Sequence, residues 1–289
     1  MARALKFALN QNTFPQTDTI TFLKLARKYG FKAVELSMDR LTELLSCVSV
    51  GTLQKTIAET GLVILTLNAF NESYMTPLEN RDLLKADCGK ISLLCKFACV
   101  RAIVIPAANI FPFSESSTGF EENFDLQLSN LQYMVDTFSA AGIESAIEPV
   151  GYGSYSFTRL KQADALVRKV EGNNRISIVP DVHLQYCAGD SPKALWDLSV
   201  PVQVIHFNDS LKTQQKKPHF IHDRTLPGEG AAICYPWVDA ALSAGFSGYF
   251  SLEVFSKEVS EMDAEAAVAL CRQKLDTFEA NYFNRKQEQ

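Results

Sequence analysis

The chain has 289 residues, of which 47% are hydrophobic and 21% charged, values typical of a globular protein. Its net charge of −5 disfavours nucleic acid and anionic membranes as the main partners. No apolar run approaches the roughly 18 residues of a membrane span, and the N-terminal stretch is too short and broken for a signal peptide. The seven cysteines lack regular spacing, as expected of buried thiols in a reducing compartment. We therefore expect a cytoplasmic protein.

Short apolar runs alternate with segments of helical periodicity along the whole chain. The apolar runs predict eight strands, at residues 5–9, 31–36, 62–67, 102–105, 143–147, 175–179, 202–206 and 248–252. The helical segments between and after them are predicted at about residues 19–29, 41–59 (with a break near Gly51), 81–98, 121–141, 158–170, 192–198, 233–244 and 263–283. Residues 283–289 are predicted to be a frayed tail.

This alternation predicts a parallel sheet, because strand-to-strand links of this length need crossover helices. Eight βα units that close on themselves form a (β/α)8 TIM barrel, an eight-stranded parallel barrel with outer helices. An open, doubly wound sheet is the alternative, and it is disfavoured because no G-x-G-x-x-G motif follows the first strand. Since no linker or internal repeat divides the chain, residues 1–289 are predicted to form one domain.

Polar side chains follow the predicted strands at the ends where TIM barrels place their active sites. The last four strands end in Glu148, Asp181, His206 and Glu253 in turn. Three carboxylates at one mouth would repel one another unless a cation lay between them. With one imidazole they form a mostly oxygen ligand set that suits Mn²⁺ or Mg²⁺, with Co²⁺ or Zn²⁺ as alternatives. The competing interpretation is that each residue forms a separate salt bridge or helix cap.

Several motifs occur in a fixed order along the chain. They are FALNQ from Phe7, YGFKAVEL from Tyr29, LTLNAF from Leu65, IEP from Ile147, PDVHL from Pro180, HFNDS from His206, DRTLPGEG from Asp223 and GYFSLEVF from Gly248. Together they resemble the xylose isomerase-like TIM barrel superfamily over nearly the whole chain. That group includes sugar phosphate isomerases and epimerases, ketose 3-epimerases, hydroxypyruvate isomerases, inosose and 3-dehydroshikimate dehydratases, and the AP endonuclease family 2 branch.

The resemblance implies roles for individual residues. One divalent metal ion would be bound by Glu148, Asp181, His206 and Glu253, with Glu148 and Glu253 also serving as the acid/base pair. The residues expected to bind substrate are His183, Arg224, Asn68 and Glu35. Glu35 has a second interpretation, in which it orients a neighbour. His183 departs from the pattern, because one residue separates it from Asp181 where many relatives have two.

The implied function is that of a divalent-metal-dependent isomerase or epimerase of a small polyhydroxy carbonyl compound. A proton next to the carbonyl would be removed, and the metal would stabilise the enediolate. A dehydratase of the inosose or 3-dehydroshikimate type would share that first step, and it is the main alternative. A sugar-binding barrel without catalysis is the second. The endonuclease branch is disfavoured because the chain has four histidines, none before His183, and Thr225 where that branch has a zinc-binding histidine.

Two loops contribute further hypotheses. Aromatic residues near the mouth would stack on substrate, form a dimer contact or simply pack within their loops; they are Phe111, Phe113, Tyr152 and Tyr155. A basic run would attract an anionic group of the substrate or lie in solvent; it comprises Lys212, Lys216 and Lys217, beside His219 and His222. The sequence leaves homo-oligomerisation open.

Overall fold

A computed structural model describes residues 4–70, 75–108, 119–151, 155–212, 221–231 and 233–288. Its barrel strands are β1 (Phe7–Asn10), β2 (Ala33–Ser37), β3 (Val63–Asn68), β4 (Ala102–Pro106), β5 (Glu144–Glu148), β6 (Ile176–Ile178), β7 (Val204–Phe207) and β10 (Tyr249–Leu252). Two shorter strands, β8 (Asp209–Ser210) and β9 (Arg224–Thr225), pair antiparallel outside the barrel. Every barrel strand begins and ends within two residues of its prediction.

The eight barrel strands run parallel and follow one another around a ring. Hydrogen bonding connects them in the order β6-β5-β4-β3-β2-β1-β10-β7. Parallel bridges from Ile178 to Val202 and from Asp181 to His206 bring β6 and β7 together. This closure confirms the predicted TIM barrel and rules out the open sheet. The second bridge also places two of the predicted metal ligands side by side.

The helices surround the barrel. They are α1 (Thr19–Lys28), α2 (Met38–Cys47), α3 (Val50–Thr60), α4 (Arg81–Phe97), α5 (Gly119–Glu122), α6 (Phe124–Ala140), α7 (Leu160–Val167), α8 (Val182–Ala188), α9 (Cys234–Ser243), α10 (Lys257–Glu261) and α11 (Ala264–Gln287). None of those in the described parts of the chain is long and hydrophobic enough to span a membrane.

Some helix boundaries differ from the predictions. The break predicted near Gly51 falls two residues earlier, because the side chain of Ser49 accepts from the amide of Thr52 and starts α3. The helix predicted at residues 192–198 is a 3-10 helix. The predicted frayed tail is helical as far as Gln287. The prediction missed α8, which follows β6 directly, with Asp181 capping its first turn.

The alternation of side chains along the strands explains why the barrel interior has a layer of polar residues next to a layer of small apolar ones. Small side chains fill the interior, including Ala8, Ala33, Val104, Ala146, Val179 and Val204. Because side chains alternate between the two faces of a strand, the residue two positions further on also points inward. On five strands that next inward residue is polar, namely Asn10, Glu35, Glu148, Asp181 and His206. The site is therefore built directly on the barrel core.

Candidate metal centre

Four buried side chains converge at the carboxyl end of the barrel. Glu148, Asp181, His206 and Glu253 each offer a ligand atom, and these atoms all lie within 4.8 Å of one another. Ligands about 2.0–2.2 Å from one ion lie no more than about 4.4 Å apart, so closure needs shifts of a few tenths of an ångström. Three carboxylates and one imidazole are a suitable donor set. The residues therefore fit a divalent ion.

His206 lies at the centre of this cluster. Its Nδ1 is 2.8 Å from Glu148 Oε1 and 3.2 Å from Glu253 Oε2, while its Nε2 is 3.3 Å from Glu35 Oε2. Burial by itself would lower the pKa of the imidazole. The charges of Glu253, Glu35 and Glu148 outweigh it and hold the pKa of His206 well above its ordinary value. Without metal, a protonated imidazole therefore balances part of the negative charge.

The two glutamates of the cluster have opposite pKa shifts. Burial raises the pKa of Glu148 although the adjacent His206 opposes that effect. Burial also disfavours ionisation of Glu253, but the positive charges of His206 and Arg224 outweigh it and lower its pKa to about 2. Without metal, Glu148 therefore holds a proton more readily than Glu253, which is the carboxylate. Paired groups with pKa values pushed apart are typical of acid/base sites.

A second cation, Arg224, reaches the cluster from outside the barrel. Its Nη2 is 2.8 Å from Asp181 Oδ2, its Nη1 is 3.5 Å from Glu253 Oε2, and its guanidinium lies 4.7 Å from the ring centroid of Phe255. The antiparallel pairing of Ser210 with Arg224 returns the chain to the mouth after the loop that follows β8. Arg224 is 2% exposed, so its ion pairs are shielded from solvent.

The carboxylate of Asp209 holds the chain in place where it comes back to the mouth at β9. It accepts hydrogen bonds from the backbone amides of Ser210 (2.8 Å), Gly228 (3.1 Å) and Ile233 (3.2 Å). These bonds tie the start of the loop to the chain beyond β9. The position of Arg224 therefore follows from β7 and the β8–β9 pair.

A cavity of about 180 Å³ lies against the cluster. Both glutamates line it, together with Asn68, Arg224, Tyr155 and Phe255. Asn68 donates a hydrogen bond to Glu253 Oε1 at 2.9 Å. The cavity therefore combines the two candidate acid/base groups with amide and guanidinium donors and an aromatic wall.

A family model described as xylose isomerase-like TIM barrel matches residues 23–274. The chain belongs to this family. It is 23% identical over 274 residues to the inosose isomerase of Halalkalibacterium halodurans, covering 91% of this chain and 93% of the relative.

Solved structures confirm the family fold. The crystal structure of the IolI protein with a bound zinc atom matches with a TM-score of 0.80 at 23% identity, covering 96% of this chain and 99% of that one. D-psicose 3-epimerase from Clostridium cellulolyticum H10, solved with D-tagatose, matches with a TM-score of 0.73 at 14% identity over 96% of this chain and 99% of that one. Likenesses at this level of identity show a shared fold.

Two residues predicted to bind substrate in this xylose isomerase-like barrel do not line the described cavity. Glu35 is completely buried next to His206. His183 is also completely buried, with Nδ1 2.5 Å from Ser210 Oγ and Nε2 3.6 Å from Cys187 Sγ. His183 lies in the first turn of α8, whose first four residues are buried. Substrate binding by Glu35 and His183 stays a prediction, and the contact of Glu35 with His206 is compatible with its second interpretation, in which it orients a neighbour.

The sequence interpretation missed two polar residues that contact the cluster, Asn10 and Asn208, and a third, Thr66, that contacts Glu35 behind it. Asn10 donates to Glu253 Oε1 at 3.1 Å, Thr66 donates to Glu35 Oε2 at 2.5 Å, and Asn208 donates to Asp181 Oδ2 at 2.9 Å. Asn10 and Asn208 carry the same signal as the predicted ligands, since each is polar and lies at the end of a barrel strand. Thr66 gave no such signal, because it lies inside the β3 run.

The structure describes three of the residues named in the two loop hypotheses. Tyr155 lines the cavity, Lys212 is exposed, and His222 Nδ1 lies 3.3 Å from the carbonyl oxygen of Phe255. The other residues named for these loops, Phe111, Phe113, Tyr152, Lys216, Lys217 and His219, lie outside the described residues.

Proposed function

We propose that this protein is a divalent-metal-dependent isomerase or epimerase of a polyhydroxy carbonyl compound. The observation that carries the proposal is the pair of buried glutamates, Glu148 and Glu253, which have opposite pKa shifts and line one cavity beside the ligand cluster. The similarity to inosose isomerase supports a cyclic polyol ketone as the substrate. The zinc atom in the related IolI structure supports the metal.

The two glutamates would move the proton. Glu253, ionised in the metal-free site, removes the proton on the carbon next to the carbonyl and leaves an enediolate. Glu148 returns a proton, and the roles reverse in the opposite direction. A bound metal ion would stabilise negative charge on the substrate oxygens. Asn68 and Arg224, both at the cavity wall, would hold substrate hydroxyl and carbonyl oxygens by hydrogen bonds.

The described cavity wall favours an uncharged substrate. Arg224 is the cation on that wall, and Asp181 and Glu253 already neutralise it. A phosphorylated sugar would need further positive charge to replace the water around its phosphate. Tyr155 and Phe255 instead provide apolar surface that fits the C–H face of a polyol ring. We therefore place an inosose ahead of a sugar phosphate.

A dehydratase is the second candidate. After the same proton abstraction, expulsion of the hydroxyl on the next carbon would give a conjugated product. That step needs an acid for the leaving hydroxyl, and the raised pKa of Glu148 favours this residue as the donor. The two reactions therefore differ in whether Glu148 returns its proton to carbon or gives it to the hydroxyl on the next carbon, which leaves as water.

The test is a substrate screen in D₂O with Mn²⁺-loaded protein. Inososes, unphosphorylated and phosphorylated ketoses, and 3-dehydroshikimate are incubated, and product NMR is recorded after the metal is chelated. An isomerase or epimerase incorporates deuterium at the carbon next to the carbonyl without new ultraviolet absorbance. A dehydratase produces absorbance from the conjugated product.

Glu148→Gln and Glu253→Gln should each abolish turnover and leave the circular dichroism spectrum unchanged. Glu144→Gln is the matched control, because Glu144 begins the strand that Glu148 ends and bonds Gln203 at the opposite end of the barrel. We expect this control to retain activity. Wild-type activity in Glu253→Gln would refute the acid/base assignment, and a metal-free protein with full activity would refute the metal requirement.

A further inference from the structure

A buried carboxylate lies behind the imidazole of the cluster. Glu35 is 0% exposed, contributes no atom to the four-ligand set and does not line the described cavity. Burying a carboxylate is costly unless hydrogen bonds replace its water. The environment of Glu35 therefore needs an explanation that neither metal coordination nor substrate contact provides.

Two neighbours donate hydrogen bonds to this carboxylate, and an imidazole nitrogen lies beside it. Thr66 Oγ1 donates to Oε2 at 2.5 Å, and Asn10 Nδ2 donates to Oε1 at 3.1 Å. His206 Nε2 lies 3.3 Å from Oε2. Both oxygens of Glu35 accept from Thr66 or Asn10, and a hydrogen on Nε2 of His206 lets Oε2 accept this third contact as well.

This hydrogen determines which imidazole nitrogen is available to a metal. A neutral imidazole with hydrogen on Nε2 has its lone pair on Nδ1. Nδ1 is the nitrogen that faces the cluster, 2.8 Å from Glu148 Oε1 and 3.2 Å from Glu253 Oε2. Nε2 points away from these two oxygens, toward Glu35. The lone pair is thus directed at the other ligand atoms.

We propose that Glu35 is a positioning residue that fixes the Nε2–H tautomer of His206, so that Nδ1 is the metal-coordinating atom. The inference rests on the metal requirement of the proposed function. Asn10 extends the arrangement, because the same Nδ2 also donates to Glu253 Oε1 at 3.1 Å. The side-chain amide of Asn10 therefore links Glu35, behind the imidazole, to the metal-ligand candidate Glu253.

The first test identifies the coordinating nitrogen directly. Protein labelled with ¹⁵N-histidine and loaded with diamagnetic Zn²⁺ is examined by long-range ¹H–¹⁵N NMR. The chain has four histidines, so the signals of His206 are assigned as those lost in His206→Gln. We expect a protonated Nε2 and a metal-bound Nδ1. A metal-bound Nε2 with a protonated Nδ1 would overturn the inference.

The second test measures metal affinity by titration calorimetry. Glu35→Gln keeps the side-chain size but removes the charge that accepts from Nε2, so Mn²⁺ should bind about 10–100-fold more weakly. Activity of this variant should recover at raised Mn²⁺ concentration, which a general folding defect would not allow. Thr66→Val, which removes a donor to Glu35, should change the affinity in the same direction by less. Glu144→Gln is again the control with unchanged affinity.

The outcomes separate this inference from the proposed function. If wild-type protein binds Mn²⁺ and Glu35→Gln binds it equally tightly, the role of Glu35 is refuted and the proposed function stands. If wild-type protein binds neither Mn²⁺ nor Zn²⁺, both are refuted. Should Glu35→Gln fail to fold, the NMR measurement on wild-type protein still decides which nitrogen coordinates.

Discussion

Replacing Arg224 by Met removes a buried positive charge from between two carboxylates while keeping a long, flexible side chain. Arg224 is 2% exposed and pairs with Asp181 at 2.8 Å and Glu253 at 3.5 Å. Without it, the metal-free cluster holds more negative charge than His206 can balance. We therefore expect the metal-free variant to be clearly less stable than the wild-type protein.

The size of the effect follows from the burial of these ion pairs. Removing one partner of a buried pair costs about 3–5 kcal/mol, because the other charge stays buried without compensation. For a chain of 289 residues the unfolding entropy is about 0.6 kcal/mol per degree, so Tm should fall by about 5–8 °C. A bound divalent ion supplies positive charge at the same place. Metal should therefore raise Tm by more in Arg224→Met than in the wild-type protein.

The assay is thermal unfolding in EDTA and in excess Mn²⁺. Arg272→Met is the matched control, because Arg272 pairs with the exposed Asp276 and lies over Phe7 and Phe31, away from the cluster. Its metal-induced change in Tm should equal that of the wild-type protein. The reasoning is refuted if Arg224→Met in EDTA unfolds within about 1 °C of wild type. It is also refuted if both proteins gain the same stability from metal.

Two further predictions follow from the site. Because the pKa of His206 lies well above its ordinary value, the imidazole is protonated in the metal-free protein and must lose that proton to coordinate. Mn²⁺ affinity should therefore weaken as pH falls, and calorimetry in buffers of different ionisation enthalpy should show proton release; pH-independent binding would contradict this. In Gly230→Ala the new Cβ would lie 2.0 Å from the carbonyl oxygen of Ser210, so the β8–β9 pair should separate and Arg224 should lose its position. Tm in EDTA should then fall as in Arg224→Met, whereas Gly89→Ala, whose Cβ would meet nothing within 4 Å, should leave Tm unchanged or slightly higher.

The strands and the convergence of the four cluster residues were predictable from two rules, the alternation of side chains along a strand and the common direction of the barrel strands. Strand residues alternate faces, so Ala146 and Glu148 share the barrel interior, as do Val204 and His206. Parallel strands in a closed barrel also present their carboxyl ends at one mouth. A polar residue two positions after an inward-facing strand residue therefore points into that mouth, and the apolar run before it identifies its strand.

The contacts of Glu35 and Arg224 depend on information that no local pattern contains. Glu35 meets His206 across 171 residues and between strands that are not neighbours in the sheet. Arg224 lies in a polar stretch that resembles any surface loop, and only the pairing of β9 with β8 returns it to the mouth. The helix α8 was missed for a different reason. Metal binding and helix capping by Asp181 were treated as competing interpretations, although one of its carboxylate oxygens caps that helix within the ligand cluster.

The anchoring of the loop by Asp209 has a consequence for how this scaffold can change. Both flanks of residues 211–223 are tied to the barrel, one through β8 and the other through the amides bound by Asp209. Ile221 lies between these anchors and lines the cavity, so exchanges at this position alter the cavity wall without displacing Arg224. The fit of the cavity to different small molecules can therefore diverge at Ile221 while the buried ligand cluster stays the same.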